Sequence, residues 1–94
     1  MDIQHEQTET KGAFFIVHEG ARAAEMTYSR AGDSMIIVDH TGVEPALSGT
    51  GAGLRMLRAL VDWARENGIK VMATCPFARA QFQKHPELQD VYTG

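Results

Sequence analysis

The sequence predicts one α/β (α+β) domain: a mixed, mostly antiparallel sheet of about four strands, with one main helix on it and short C-terminal helices. Three observations carry this. A length of 94 residues leaves room for one domain and not for two. Three runs rich in β-branched and aromatic residues follow one another between residues 12 and 40 with only short turn signals between them, which reads as an antiparallel meander. A long stretch of helical periodicity then separates the third run from a fourth, and a helix between two strands permits a parallel pair through a right-handed crossover.

Taken in order, residues 1–11 (MDIQHEQTETK) are polar and without period, and are expected to form a flexible leader before a domain spanning 12–94. Residues 12–19 (GAFFIVHE) are the first strand run, ended by Gly20. Residues 21–30 alternate, with Ala24, Met26 and Tyr28 on one face and Glu25, Thr27 and Ser29 on the other. Ala31-Gly32-Asp33 signals a turn. The near-continuous apolar run of residues 34–40 (SMIIVDH) is expected to be covered on both faces. Leu54, Leu57, Leu60, Val61 and Ala64 recur at helical spacing and predict a helix over 50–67, stopped by Asn67-Gly68. Residues 69–74 (IKVMAT) alternate as a strand, and Cys75-Pro76 ends it because proline donates no ladder bond. Residues 78–84 read as a short helix with Phe82 inward, and Pro86 opens a further turn. The order is β-β-β-α-β-α.

Composition narrows the function classes. Nine Lys and Arg against twelve Asp and Glu give a formal charge of −3, which counts against a nucleic-acid module with its basic stripe. A single cysteine makes no internal disulfide and no cysteine-rich zinc site. No histidine has a second histidine or a cysteine at i+4 and there is no cysteine pair, so no metal is expected. No apolar run approaches the roughly 18 residues of a membrane span, and the N-terminal residues lack a signal peptide's basic start and apolar centre. The expectation is a cytoplasmic protein without membrane or nucleic-acid partners, its oligomeric state unreadable.

The strongest local signal is Gly49-Thr50-Gly51-Ala52-Gly53, between an apolar strand and the main helix. Glycines let a backbone approach a ligand closely, and a helix start offers free N–H groups with partial positive charge. Together they suit a phosphate or pyrophosphate; a plain strand-to-helix junction is the alternative. A P-loop fails because no lysine follows the glycines. The dinucleotide fingerprint fails because Gly49, Gly51 and Gly53 are evenly spaced by two and follow the third strand instead of the first.

The segment Val43-Glu44-Pro45-Ala46-Leu47-Ser48-Gly49-Thr50-Gly51-Ala52-Gly53 resembles the acyl-CoA loop of the GNAT acyltransferase superfamily, Gln/Arg-x-x-Gly-x-Gly/Ala with Val-x-Pro upstream. Ser48 departs from the Gln or Arg of the first motif position, which removes one side-chain contact to the ligand. His40-Thr41, Trp63-Ala64-Arg65, Cys75-Pro76-Phe77-Ala78 and Lys84-His85-Pro86-Glu87 extend the likeness across about 80 residues to the minimal GNAT-like family of small acetyltransferases. The resemblance implies transfer of an acetyl group from acetyl-CoA to a primary amine, with no metal. A non-catalytic acyl-CoA-binding or interaction module is the alternative, since so short a chain has few residues left for an acceptor pocket.

By the same resemblance, Thr41, Val43, Gly49, Thr50, Gly51, Ala52, Gly53 and Leu54 would hold acetyl-CoA, with the pantetheine arm between the strand before the loop and the strand 69–74. The backbone N–H near Val43 would polarise the thioester carbonyl. His40 and Cys75 are the candidate catalytic residues. A histidine ending a strand beside the cleft suits proton removal from an amine. Cys75 has two functional versions, covalent acyl carrier or lining of the thioester site, besides a buried small hydrophobe. A Cys75–His40 pair is a further expectation. Asp39, by strict alternation, points to the face opposite His40, so a hydrolase-like triad is disfavoured. Phe77 is expected in the core, and His5 in the leader.

Overall fold

Alternation along residues 21–30 buries Ala24, Met26 and Tyr28 and turns Thr27 and Ser29 to the other side, and this strand is the middle of a five-stranded sheet. The computed structural model describes residues 2–94; Met1, the first residue of the expected leader, lies outside them. The strands are β1 (Gln4–Gln7), β2 (Lys11–His18), β3 (Ala21–Arg30), β4 (Met35–Val43) and β5 (Lys70–Ala73), side by side in that order. The first three pairings are antiparallel and β4–β5 is parallel, joined through helix α1 (Ala52–Glu66). Helix α2 (Pro76–Lys84) follows β5, and 3-10 turns occupy Pro45–Leu47 and Pro86–Leu88. Among the described residues no helix is long and apolar enough to cross a membrane.

Where the sequence suggests a loose leader, β1 pairs with β2 and gives the sheet its fifth strand. One inward side chain anchors it. The His5 ring stacks on Phe14 at 4.0 Å, meets Trp63 edge-on at 4.7 Å, and has Nε2 2.7 Å from the Tyr28 hydroxyl. An edge strand needs only one buried contact row, so polar composition concealed it.

Both helices lie on one face of the sheet. Ile36 and Val38 of β4 and Val71 and Ala73 of β5 share a single core with Met56, Leu57, Leu60, Val61 and Ala64 of α1 and with Ala78 and Phe82 of α2. Burial of these apolar side chains, each worth roughly 1.5–3 kcal/mol for a Val, Leu, Ile, Phe or Met, is the main stabilising term. The second 3-10 turn is strapped to α1 by Arg58–Glu87 and by Arg65–Asp90, at 2.9 and 2.7 Å. Among the described residues, the opposite sheet face carries no helix. Met72 is 37% exposed there, and its neighbour Ile37 is only partly buried. The apolar run of β4 is therefore covered on one face, not on both as its composition suggests.

A β-bulge corrects the expected facing of β4. Thr27 pairs with His40 but Tyr28 with Val38, so Asp39 is the extra residue. An inserted residue shifts the alternation by one. Thr41 and Val43, opposite Met26 and Ala24, therefore join the core side, and His40 and Gly42, opposite Thr27 and Glu25, join the uncovered side. Asp39 is also on the uncovered side, accepting hydrogen bonds from the hydroxyls of Thr27 and Ser29 at 2.5 and 3.1 Å.

Candidate active site

The glycine run forms the turn into α1. Gly49 and Gly51 have φ of 79° and 77°, the left-handed region that an L side chain rarely adopts. Gly51 precedes the first helical residue, and its carbonyl accepts the Arg55 N–H at 3.0 Å. Among the described residues no side chain caps this helix start, so the first-turn N–H groups keep their donors free for a ligand. The helix begins at Ala52, two residues later than the periodicity predicts, because the Thr50 hydroxyl donates back to the Leu47 carbonyl at 2.6 Å.

A cavity of about 340 Å³ opens at this helix start. It brings together Val43, Gly49, Gly51, Ala52, Gly53 and Leu54 from the sequence reading, and adds Leu47, Phe77 and Gln81. Gly53 is fixed by packing: a Cβ there would lie 2.5 Å from Phe77 Cζ. Phe77, expected in the core, is 36% exposed and walls this cavity instead. Its signal in the sequence was a third glycine inside a helix, where a neighbouring ring needs the space.

Beside the cavity, β4 and β5 part. The N–H groups of Thr74 and Cys75 both donate to the Val38 carbonyl, at 2.9 and 3.2 Å, and the chain then turns into α2. Residues 39–43 of β4 run on without a strand on that edge. Glu44 donates its N–H to Ala23 on the β3 side at 2.8 Å. Alternate residues of a strand direct their backbone groups to opposite edges, so the N–H of Val43 points into the opening.

Thr41 and Cys75 meet across this opening, Oγ1 to Sγ, at 3.3 Å. Cys75 is 4% exposed and stands immediately before α2. His40 is elsewhere. Its exposed ring lies over Gly42 on the uncovered face, with Nε2 3.9 Å from a Glu25 carboxylate oxygen. The bulge thus separates the two candidate catalytic residues, and the expected Cys75–His40 pair is not assembled. A second hollow, about 420 Å³, surrounds His40 and is lined by Arg22, Glu25, Gly42, Val43 and Glu44. Glu25 was missed in the sequence because only cross-strand register places it beside His40. No group of three metal-ligating side chains occurs among the described residues.

Residues 13–91 match the family model for the GCN5-related N-acetyl-transferase. A GCN5-like candidate N-acetyltransferase from Staphylococcus aureus, solved in solution by NMR, shares 41% identity over 97% of this chain and 88% of its own, with a TM-score of 0.75. The ribosomal-protein-alanine N-acetyltransferase of Brucella melitensis biovar Abortus 2308 matches at 18% identity over 82% of this chain and 62% of its own, with a TM-score of 0.68. Tetrahymena GCN5 matches at 15% identity over 82% of this chain and 51% of its own, with a TM-score of 0.66. At those identities the last two show a shared fold, and this chain spans only about half to two thirds of their length. No curated protein sequence matches the chain. The chain belongs to the GCN5-related N-acetyltransferase family, a class of acetyl-transferring enzymes.

Proposed function

We propose that this protein is an acetyl-CoA-dependent N-acetyltransferase acting on a primary amine. The observation that carries the reading is the single cavity joining the uncapped start of α1 to the open edge of β4 at Val43. The pyrophosphate would accept hydrogen bonds from the N–H groups of the glycine turn and the first helical residues 51–54. Two positive-φ glycines keep that turn free of side chains, which lets the backbone approach the phosphates. The pantetheine arm would extend along the unpaired edge of β4, past Phe77, to Thr41 and Val43. Thr50, with its hydroxyl turned to Leu47, would contribute backbone only.

The reaction is direct transfer. The amine nitrogen, neutral when it attacks, forms a bond to the thioester carbonyl carbon. The carbon–sulfur bond breaks and its electron pair leaves on the CoA sulfur. One amine proton is lost to His40 or to water, and the thiolate takes up one proton. The Val43 N–H donates to the carbonyl oxygen as negative charge develops there. Burial of Cys75 in the core beside Thr41, on the side of the sheet opposite His40, favours a role lining the thioester site over covalent acyl transfer.

Calorimetric titration with acetyl-CoA tests the reading. Wild type should bind, and Gly51→Glu should not. Because Gly51 has positive φ, Ser48→Glu provides a second variant at an ordinary backbone position of the same cavity (φ −61°). Absence of binding by folded wild type sinks the proposal. Binding without faster CoA release on adding amines would leave an acyl-CoA-binding module.

A further inference from the structure

The opening between β4 and β5 is a wedge, and pairs of facing residues mark how it widens. At its closed end Val38 pairs with Ala73 in the parallel ladder, and the Val38 carbonyl accepts the N–H groups of both Thr74 and Cys75. Next comes the contact of Thr41 Oγ1 with Cys75 Sγ at 3.3 Å. At the wide end Val43 and Phe77, each two residues further along its own segment, wall the glycine-turn cavity, which does not reach Thr41 or Cys75. Cys75 packs in the core with Val38, Leu47 and Ala73, so the sulfur has filled space behind it. The wedge thus narrows to two side chains that already touch.

We infer that the Thr41–Cys75 pair is a stop for the acyl chain, excluding donors whose acyl group has four or more carbons. The inference rests on the acetyl-CoA reading and adds the residues that select the acyl group. A pantetheine arm anchored at the glycine turn enters the wedge at its wide end, so the acyl group is its leading end. With the thioester carbonyl level with the Val43 N–H, two residues of strand separate it from Thr41, about 7 Å. Van der Waals contact with the wall takes up about 4 Å of that distance. The remainder holds a methyl group but not the propyl group of a butanoyl ester. A longer chain must displace Thr41 or Cys75, and inserting methylenes against packed atoms is unfavourable.

The test is calorimetric and needs no acceptor: the affinities of acetyl-CoA and butanoyl-CoA are measured for each protein and compared as a ratio. Wild type should favour acetyl-CoA by at least about 10-fold, the scale on which a pocket rejects an extra methylene. An open wedge would give the reverse order, because two further buried methylenes add affinity. Cys75→Ala and Thr41→Ala each remove atoms from the stop and should lower the ratio about 10-fold, the room of one methylene. Taking the ratio within each variant cancels any general effect on the coenzyme site, and either variant serves if the other does not fold. Thr41→Val keeps the shape without the hydroxyl and should retain the selection. A wild-type ratio at or below one overturns the inference, as does a ratio unmoved in both Ala variants. Loss of selection in Thr41→Val overturns it too, since the hydroxyl and not the bulk would then select. In each of these cases acetyl-CoA still binds and the parent reading stands. Binding of neither thioester by folded wild type overturns both.

Discussion

Thr41 Oγ1 lies 3.3 Å from Cys75 Sγ, and this contact ties the free edge of β4 to the residue that opens α2. The sulfur is enclosed by its own protein, with a hydroxyl and not an imidazole as its neighbour. Replacing Cys75 by Ala should therefore leave acetyl transfer near the wild-type rate while costing about 1 kcal/mol of stability, the typical loss for a point change. Intact-mass spectrometry after mixing with acetyl-CoA should show no acetyl adduct on wild type. An adduct that disappears in Cys75→Ala, together with lost turnover, would establish the covalent route instead.

His40 stands on the uncovered face of the same strand. If it removes the amine proton, His40→Gln should lower kcat by about 100-fold, the lower end of general-base contributions. Acetyl-CoA affinity, measured separately by calorimetry, should be unchanged because the ring does not line the glycine-turn cavity. A kcat within two-fold of wild type, by the same scale, would assign the proton to water.

Gly53 and Phe77 are a packed pair. Gly53→Ala should destabilise the protein by about 1–3 kcal/mol, as overpacking does, and lower the melting temperature by about 4–8 °C for each kcal/mol. Trimming the ring in the double variant Gly53→Ala/Phe77→Leu should recover part of that loss. Equal losses in the single and double variants would show that the glycine is needed for some reason other than the ring.

Acid should loosen β1. Burial, with a smaller contribution from the nearby Arg30 charge, holds the His5 pKa below its ordinary 6.5. Burial also raises Tyr28, its hydrogen-bond partner, so neither ring favours its charged form. A histidine with a depressed folded pKa contributes stability that is full above pH 6.5. That stability is lost as pH falls from 6.5 through the folded value, because the unfolded chain binds the proton first. Trp63 is the one tryptophan of the chain and touches His5, so its fluorescence reports the event. The acid-side change that sets in below pH 6.5 should vanish in His5→Gln. At lower pH, Asp90, held below its ordinary 3.8 first by the Arg65 hydrogen bond, releases the C-terminal turn as it protonates.

Ser48 lines the glycine-turn cavity, at the position where the acyl-CoA loop that this segment resembles has Gln or Arg. Ser48→Arg should tighten acetyl-CoA about 2–5-fold at low salt, an effect of the size of an exposed ion pair, and lose that gain at high salt. Calorimetry at two ionic strengths checks it.

The glycine turn and α1 were legible because they depend on residue identity. Glycine adopts the backbone of positions 49 and 51 at far less cost than other residues, and the α1 stripe recurs at a period no strand shares. Strand β1 was not legible, since its place depends on one imidazole finding Phe14, Tyr28 and Trp63 from distant parts of the chain. The facing of His40 was hidden for a related reason. Counting by twos along β4 cannot reveal that β3 has one residue fewer opposite it, because the bulge is a property of the pair. Glu25 became a neighbour of His40 only through that register.

The bulge at Asp39 also bears on the order of events. Acetyl-CoA would enter from the helical side and the amine from the bare side, with the thickness of one strand between them. Neither entrance closes the other, so the two substrates should bind in either order and form a ternary complex before any product departs. Initial-rate plots should then intersect instead of running parallel, and free CoA should compete with acetyl-CoA alone.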